Sequence, residues 1–364
     1  MKVKQAVILA AGKSTRTYPL TLNKPKALLK VLGKTILEHN LDQLEGLVDE
    51  VLVVIGYKAE MIKTTIGNSY KGIKIKYIEQ KNQTGTGSAL LECKNRGSLE
   101  DRFLVLNGDD FFSRKDIENC LHHKYSVLAS EVKDPQNFGI FGLKGNKVIG
   151  LEEKPKQPKS NLANTGLYVF DKEIFNFKLE QTERGEYEIT DYLKYLIKNK
   201  EVVLEKVKDF WKPVVYSWSL FPVLETLLKK SSIKGEIDSK TEIQGKVYIG
   251  KNSILKVCKL SGFVNVGDGC VIENSEIKDC VIGDNCKIVE SVLLDSVIGN
   301  SVELTDCKTK NKSEGKIEVR LNGKVVECKR GKLGVLIGDF VKAEGVVFNP
   351  GEAIEPNTIK KSNL

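Results

Sequence analysis

The stretch Leu9-Ala10-Ala11-Gly12-Lys13-Ser14-Thr15-Arg16 ends an apolar run in small residues, a glycine and basic side chains. Its Gly-Lys-Ser-Thr tetrad matches the tail of a P-loop, which also requires a glycine five positions before the second one so that the backbone can wrap a phosphate. That position is Val7, inside the apolar run, so the stretch is not a P-loop. It suits another kind of anion site. Ala10, Ala11 and Gly12 let backbone N–H groups approach an anion closely. Arg16 follows, and Lys26 comes ten residues later in Asn23-Lys24-Pro25-Lys26. Two cations beside a backbone nest suit a triphosphate whose charge must be neutralised while one phosphate is displaced. Taken alone, the same residues also describe an ordinary strand-to-loop connection with exposed basic side chains.

The elements that must hold these groups follow two rhythms. From Val3 to about Leu227, short apolar runs alternate with helical periodicity. Strands are predicted in "VKQAVILA", "EVLVVIG", "IKIKYIE", "RFLVLNGD" and "YSVLASEV", and helices over Thr35 to Glu45, Ala59 to Ile66 and Ser88 to Lys94. Near-continuous apolar strands are buried on both faces, which predicts an α/β, Rossmann-like and mostly parallel sheet covered by helices. Ligands in such sheets collect beyond the strand C-terminal ends, so the loops after the first, third and fourth strands are the ones to search.

Past Ser231 the rhythm changes. "YIGKNSIL", "NVGDGCVI", "VIGDNCKI", "VIGNSVEL" and "LIGDFVKA" share an apolar residue, Gly and a small or polar pair, with Ile249, Val266, Ile282 and Ile298 spaced by 17, 16 and 16. A fixed short period means stacked coils, none able to bury its apolar face alone. These stretches resemble the hexapeptide repeats of left-handed parallel β-helices. The predicted division is therefore residues 1–230 for the first domain and 236–364 for the β-helix, with a loop or hairpin interrupting the stack at about 308–330.

Composition limits the partners. The chain has 364 residues, 41% of them hydrophobic and 29% charged, which suits two soluble domains. No apolar run approaches the ~20 residues that cross a bilayer, and Met-Lys-Val-Lys gives no sign of a signal peptide. No membrane association is expected, and a cytoplasmic location is. The net charge of +9 is interspersed with Glu and Asp instead of gathered in a stripe, favouring phosphates over nucleic acid. The eight cysteines include no C-x-x-C pair, and six of them follow residue 250, as small buried thiols would.

"LAAGKSTR", seven further residues and "KPKALL" together resemble the signature of the sugar-1-phosphate nucleotidyltransferases. The resemblance continues through "GTGSAL" from Gly85, "NGDD" from Asn107, "NFGI" from Asn137, "LEEKPKQPKSN" from Leu151, "ANTGLYVF" from Ala163 and "GEYEITD" from Gly185. It covers roughly residues 3 to 195, and a β-helix appendage is common in that family. The resemblance implies that a sugar phosphate oxygen attacks the α-phosphorus of a nucleoside triphosphate and pyrophosphate leaves. It further implies that Arg16 and Lys26 hold the triphosphate, while Leu9, Ala11 and Gly12 meet the nucleotide. Gln80, Gly85 and Thr86 would read the base, Asp109 would carry Mg²⁺, Gly139, Glu153 and Asn164 would bind the sugar, and Lys154 would grip its phosphate. Gln80 and Thr86 also suit a role in capping the helix near Ser88. Asp110 reads equally as a solvated turn residue or a second metal contact.

The base loop "QKNQTGTGSA" is similar to that of uridylyltransferases acting on N-acetylglucosamine 1-phosphate, whereas "LEEKPKQPKSN" is similar to thymidylyltransferases using glucose 1-phosphate. UTP is therefore expected first and dTTP second. One position departs from the family. Its second metal ligand, an Asp or Asn, should fall where Trp218 stands, leaving Mg²⁺ to Asp109, phosphates and water, or to Asp209. That gap keeps open a catalytically weak homologue serving as a regulatory or assembly subunit. Bifunctional relatives acetylate an amino sugar with a β-helix histidine, but here His39, His122 and His123 all lie in the first domain. No acetyltransferase activity is expected, and the β-helix is read as an oligomerisation element, a homotrimer, or a ligand sensor. His122 and His123 are read as surface residues, and Trp211 and Trp218 as packing anchors.

Overall fold

A computed structural model describes residues 3–183, 185–310 and 316–362. The chain forms two compact units: Met1–Lys13 with Leu37–Pro213, and Ser14–Ile36 with Val214–Leu364. This differs from a division at residue 230. Residues 14–36 find polar partners in the C-terminal coils, as when Leu32 N donates to Asn265 Oδ1 at 2.7 Å.

In the first unit, β1 (Gln5–Leu9), β2 (Glu50–Ile55), β3 (Ile73–Glu79) and β4 (Arg102–Asn107) run parallel in the order β3-β2-β1-β4. Val7, Leu52 and Val105 are fully buried, because helices cover both faces. These helices are α1 (Ile36–Leu44), α2 (Ala59–Ile66), α3 (Thr86–Asn95), α4 (Arg114–Leu121) and α5 (Ile189–Asn199). On α3 the spacing of Ala89, Leu90 and Cys93 makes the buried stripe. Ser113 caps α4 by accepting from Asp116 N, a contact worth about 1 kcal/mol.

Beyond β4 the sheet becomes mixed. The strands β5 (Ser126–Glu131), β6 (Gly139–Lys144), β7 (Lys147–Glu153), β8 (Leu162–Asp171) and β9 (Val203–Lys206) complete it. Strand β8 pairs antiparallel with both β4 and β5, and β6 with β7. With the edge strand Ser69–Tyr70 the described residues form a sheet of ten strands. The expected parallel arrangement thus holds on the β3-to-β4 side and again where β9 runs parallel to β5. His123 is half-buried instead of lying on the surface, its Nε2 2.8 Å from Glu205 Oε1.

In the second unit, successive coils pair in parallel with Ile249 opposite Val266, then Ile282, Ile298, Ile337 and Ile354. The inward aliphatics stack into one apolar column, and the corners at Asn252, Asn285, Ser301 and Phe340 all have positive φ. Parallel strands in curled sheets fit the left-handed β-helix expected from the repeats. An antiparallel hairpin, Ile317–Leu321 with Lys324–Cys328, interrupts the stack. Its Asn322-Gly323 turn has positive φ at both residues, as a two-residue hairpin requires. Residues 311–315 of the expected insertion lie outside the described residues.

All eight cysteines are buried free thiols. Burial pushes the thiols of Cys93, among the first unit's helices, and Cys280, in the β-helix core, up to about 12. The reactive thiolate is then scarce at pH 8. A thiol reagent should label these two slowly in the native protein and quickly in denaturant, and fast native labelling at Cys280 would contradict this packing.

Candidate active site

The loop after β1 is built by close approach of backbones. A Cβ placed on Gly108 would sit 2.8 Å from Leu9 O, and one on Gly56 would sit 2.8 Å from Ala11 O. Gly108 N donates to Leu9 O at 2.9 Å and Tyr57 N to Ala11 O at 3.1 Å. The loops after β2 and β4 therefore close on the loop after β1, and only glycine fits at both contacts. Gly12 projects beyond them, where an added Cβ meets nothing within 4 Å. Asp109, half-buried, occupies the turn after Gly108. Leu9, Ala11, Gly12 and Asp109 thus belong to one rim at the C-terminal end of the parallel strands.

The loop from Gln80 to Thr86 is held at both ends. Gln80, buried, takes Ile55 O through its N–H and donates from Nε2 to Gly85 O at 2.9 Å and Ser88 Oγ at 2.8 Å. Gly85 is the N-cap residue of α3, with φ of 113°, and an added Cβ there would overlap Tyr187 O. Tyr187 N donates to Thr84 O at 2.7 Å, and Gly87 N to Tyr187 O at 2.8 Å. The side chain of Thr86 does not cap α3; its Oγ1 accepts from Ile189 N, the first residue of α5. The "GTGSAL" and "GEYEITD" segments therefore form one structure.

A second cluster joins the antiparallel strands. Gly139 and Glu153 are register partners, and a Cβ on Gly139 would come 2.9 Å from Glu153 Oε2 and 3.6 Å from Asn164 Cβ. Asn164 donates from Nδ2 to Tyr168 Oη at 2.7 Å and accepts from Gly166 N at 3.1 Å. Lys154 has φ of 46° and places Nζ 3.5 Å from Glu153 Oε1. Sequence reasoning missed Tyr168. It is fully buried, and burial with the nearby carboxylates Glu153, Asp110 and Glu188 pushes its phenol well above the ordinary range. It also missed Gly166, whose missing side chain makes room for Asn107.

Asp110 is neither solvated nor idle. It is buried, and its Oδ2 accepts from Trp211 Nε1 at 3.1 Å while its carbonyl accepts from Asn40. Asp209 is exposed, its N–H given to Asp116 Oδ2. Among the described residues no three His, Cys, Asp or Glu gather as a metal cluster. Asp109 offers a hard carboxylate, which suits a divalent ion that takes the rest of its shell from phosphate and water.

Arg16 and Lys26 belong to the second unit. Arg16 is exposed on the 3₁₀ turn Thr15–Thr17, which is knitted by Thr17 Oγ1 and Thr21 Oγ1 donating to Ser14 O at 2.9 Å each. Lys26 opens the turn Lys26–Leu28 and is buried. Trp218, where the family resemblance places a second metal ligand, is buried and stacks on Tyr216 with ring centroids 4.6 Å apart.

A family model described as nucleotidyl transferase matches residues 5–229. The bifunctional protein GlmU of Methanocaldococcus jannaschii is 42% identical over 254 residues, 68% of this chain and 61% of that protein's own length. That of Methanococcus maripaludis strain LL is 34% identical over 390 residues, 98% of this chain and 93% of its own length. Among solved structures, a putative glucose-1-phosphate thymidylyltransferase from Bacillus anthracis in complex with a sucrose is 30% identical, with a TM-score of 0.55. It covers 60% of this chain and 92% of its own. On the match over residues 5–229 and on similarity over nearly the full length, the chain belongs to the nucleotidyl transferase family.

Proposed function

We propose that the protein transfers a nucleotidyl group from UTP, or secondarily dTTP, to N-acetylglucosamine 1-phosphate or glucose 1-phosphate, releasing pyrophosphate. The observation that carries this reading is the glycine-tight rim at Leu9, Ala11 and Gly108, which leaves the Gly12 backbone open and the Asp109 carboxylate in the next turn. Support for the acceptor comes from Gly139, Glu153 and Asn164, where a crowded strand position suited to glycine lies beside a carboxylate and an amide that suit sugar hydroxyls.

In this reading the acceptor's phosphate oxygen attacks the α-phosphorus, and no protein nucleophile is needed. The protein contributes positioning and charge neutralisation. Arg16 and Lys26 compensate the triphosphate as negative charge moves onto the departing pyrophosphate. The loop from Gln80 to Thr86, stiffened by Tyr187, holds the base against a fixed edge. Lys154 orients the acceptor phosphate. Mg²⁺ held by Asp109 would supply further charge compensation at the phosphate oxygens. Uracil and thymine present the same Watson–Crick edge, so one loop can admit both bases. The relatives' names include the word bifunctional, but with no histidine after His123 we propose nucleotidyl transfer without acetyl transfer.

A matrix of five nucleoside triphosphates against several sugar 1-phosphates, scored by pyrophosphate release, should show turnover with UTP above dTTP. Preference for GTP with mannose 1-phosphate would overturn the base assignment, and no release from any pair would favour the non-catalytic subunit. Arg16→Ala and Lys26→Ala should each lower kcat by roughly 10²- to 10³-fold, and unchanged turnover in both would contradict the roles given them. Gly85→Ala, clashing with Tyr187, should raise KM for the triphosphate more than KM for the sugar phosphate, and an equal change in both would speak against base reading there. Acetyl transfer from acetyl-CoA to glucosamine 1-phosphate by the purified chain would refute the single-activity reading.

A further inference from the structure

Five consecutive coils of the β-helix are joined by a ladder of four hydrogen bonds to short polar side chains. Lys251 N donates to Asp268 Oδ1 at 2.7 Å, Asp268 N to Asp284 Oδ1 at 3.0 Å, Asp284 N to Asn300 Oδ1 at 3.1 Å, and Asn300 N to Asp339 Oδ1 at 2.8 Å. Each rung needs one acceptor oxygen. An amide serves as well as a carboxylate, as Asn300 demonstrates. A buried carboxylate instead carries a desolvation cost that only a partner offsets.

The partners are lysines of the strap Ser14–Ile36. Lys24 Nζ lies 2.9 Å from Asp339 Oδ1, with the two side chains only 9% and 6% exposed. Lys30 Nζ lies 2.7 Å from Asp284 Oδ2, in a wetter setting. Further ties fix the same strap: Asn322 Nδ2 donates to Thr15 O at 2.9 Å, Tyr18 Oη to Glu355 Oε1 at 2.8 Å, and Leu32 N to Asn265 Oδ1 at 2.7 Å. Lys24 is linked to Lys26 through Pro25, whose φ of −63° is locked by its ring. Whatever orients Lys24 therefore constrains Lys26.

We propose that Asp339 is a positioning residue for nucleotidyl transfer, acting through Lys24 to hold the strap that presents Arg16 and Lys26. The β-helix is then a working support of the phosphate-binding cations, which goes beyond an assembly or sensing role. This rests on the triphosphate-binding role proposed above for those two residues.

The test uses the full chain. Asp339→Asn keeps the ladder acceptor and removes only the counter-charge of Lys24. Asp268→Asn makes the same change at a rung where the described residues provide no ion pair, and serves as the control. Amide hydrogen exchange should quicken over residues 14–36 in Asp339→Asn and stay unchanged over 242–309, while kcat falls by about 10- to 100-fold. Asp268→Asn should match the wild type in both. Adding Lys24→Met to Asp339→Asn removes the unpaired buried charge, and should slow strap exchange and recover part of kcat. Wild-type strap exchange in Asp339→Asn overturns the proposal, as does faster exchange spread evenly over the β-helix. Wild-type kcat with a loosened strap overturns it too. If the wild type turns over no substrate pair, the functional reading fails separately, and the exchange measurements still decide whether Asp339 holds the strap.

Discussion

Backbone crowding at the C-terminal edge of β1 is the constraint on which the rest depends. Gly56 and Gly108 stand where any side chain would strike the carbonyls of Ala11 and Leu9. That crowding draws three loops together and leaves the backbone at Gly12 uncovered. In the proposed reaction, fixed dipoles at such a rim would act without reorganising when the triphosphate binds, and this is the main means by which a protein accelerates phosphoryl chemistry lacking a covalent intermediate. The loop from Gln80 to Thr86 and the cluster of Gly139, Glu153 and Asn164 obey the same logic. Gly85 gives way to the Tyr187 backbone, and Gly166 and Gly139 to the side chains of Asn107 and Glu153, so that these polar groups are set by their neighbours before any ligand binds.

The second unit solves a different problem. A β-helix coil has no core of its own and gains stability from its neighbours above and below. Its inward aliphatics supply the apolar column, while the Asp and Asn ladder satisfies backbone donors at the corners. Where the ladder uses aspartate, spare negative charge becomes available, and at Asp284 and Asp339 it meets lysines from a segment far away in sequence. Repetition provides the scaffold, and the departures from repetition carry the specific contacts.

Much of this was legible in the chain. Apolar runs such as Glu50–Ile55 and Ile73–Glu79 marked the parallel strands, and the 16-residue spacing of Ile282 and Ile298 marked the coils, because burial imposes those patterns directly. Strand direction was not legible beyond β4, since alternation along a strand does not encode which way its neighbour runs. Nor were the engagements of Thr86 with Ile189, Asn164 with Tyr168 and Asp110 with Trp211, each a meeting of two polar groups fixed by tertiary folding. The attachment of residues 14–36 to the coils left one faint trace. The ladder position reads Asp, Asp, Asn, Asp along the repeats, and a carboxylate where an amide suffices is a reason to look for a cation.

The central claim is direct displacement at the α-phosphorus, driven by positioned charge with no nucleotidyl-protein intermediate. The stereochemical course at that phosphorus tests it most directly, using a chiral α-thio analogue of UTP and an accepted sugar 1-phosphate. A single in-line displacement predicts inversion in the nucleotide-sugar product. Retention would require two displacements through a group on the protein, and would contradict this account of the site.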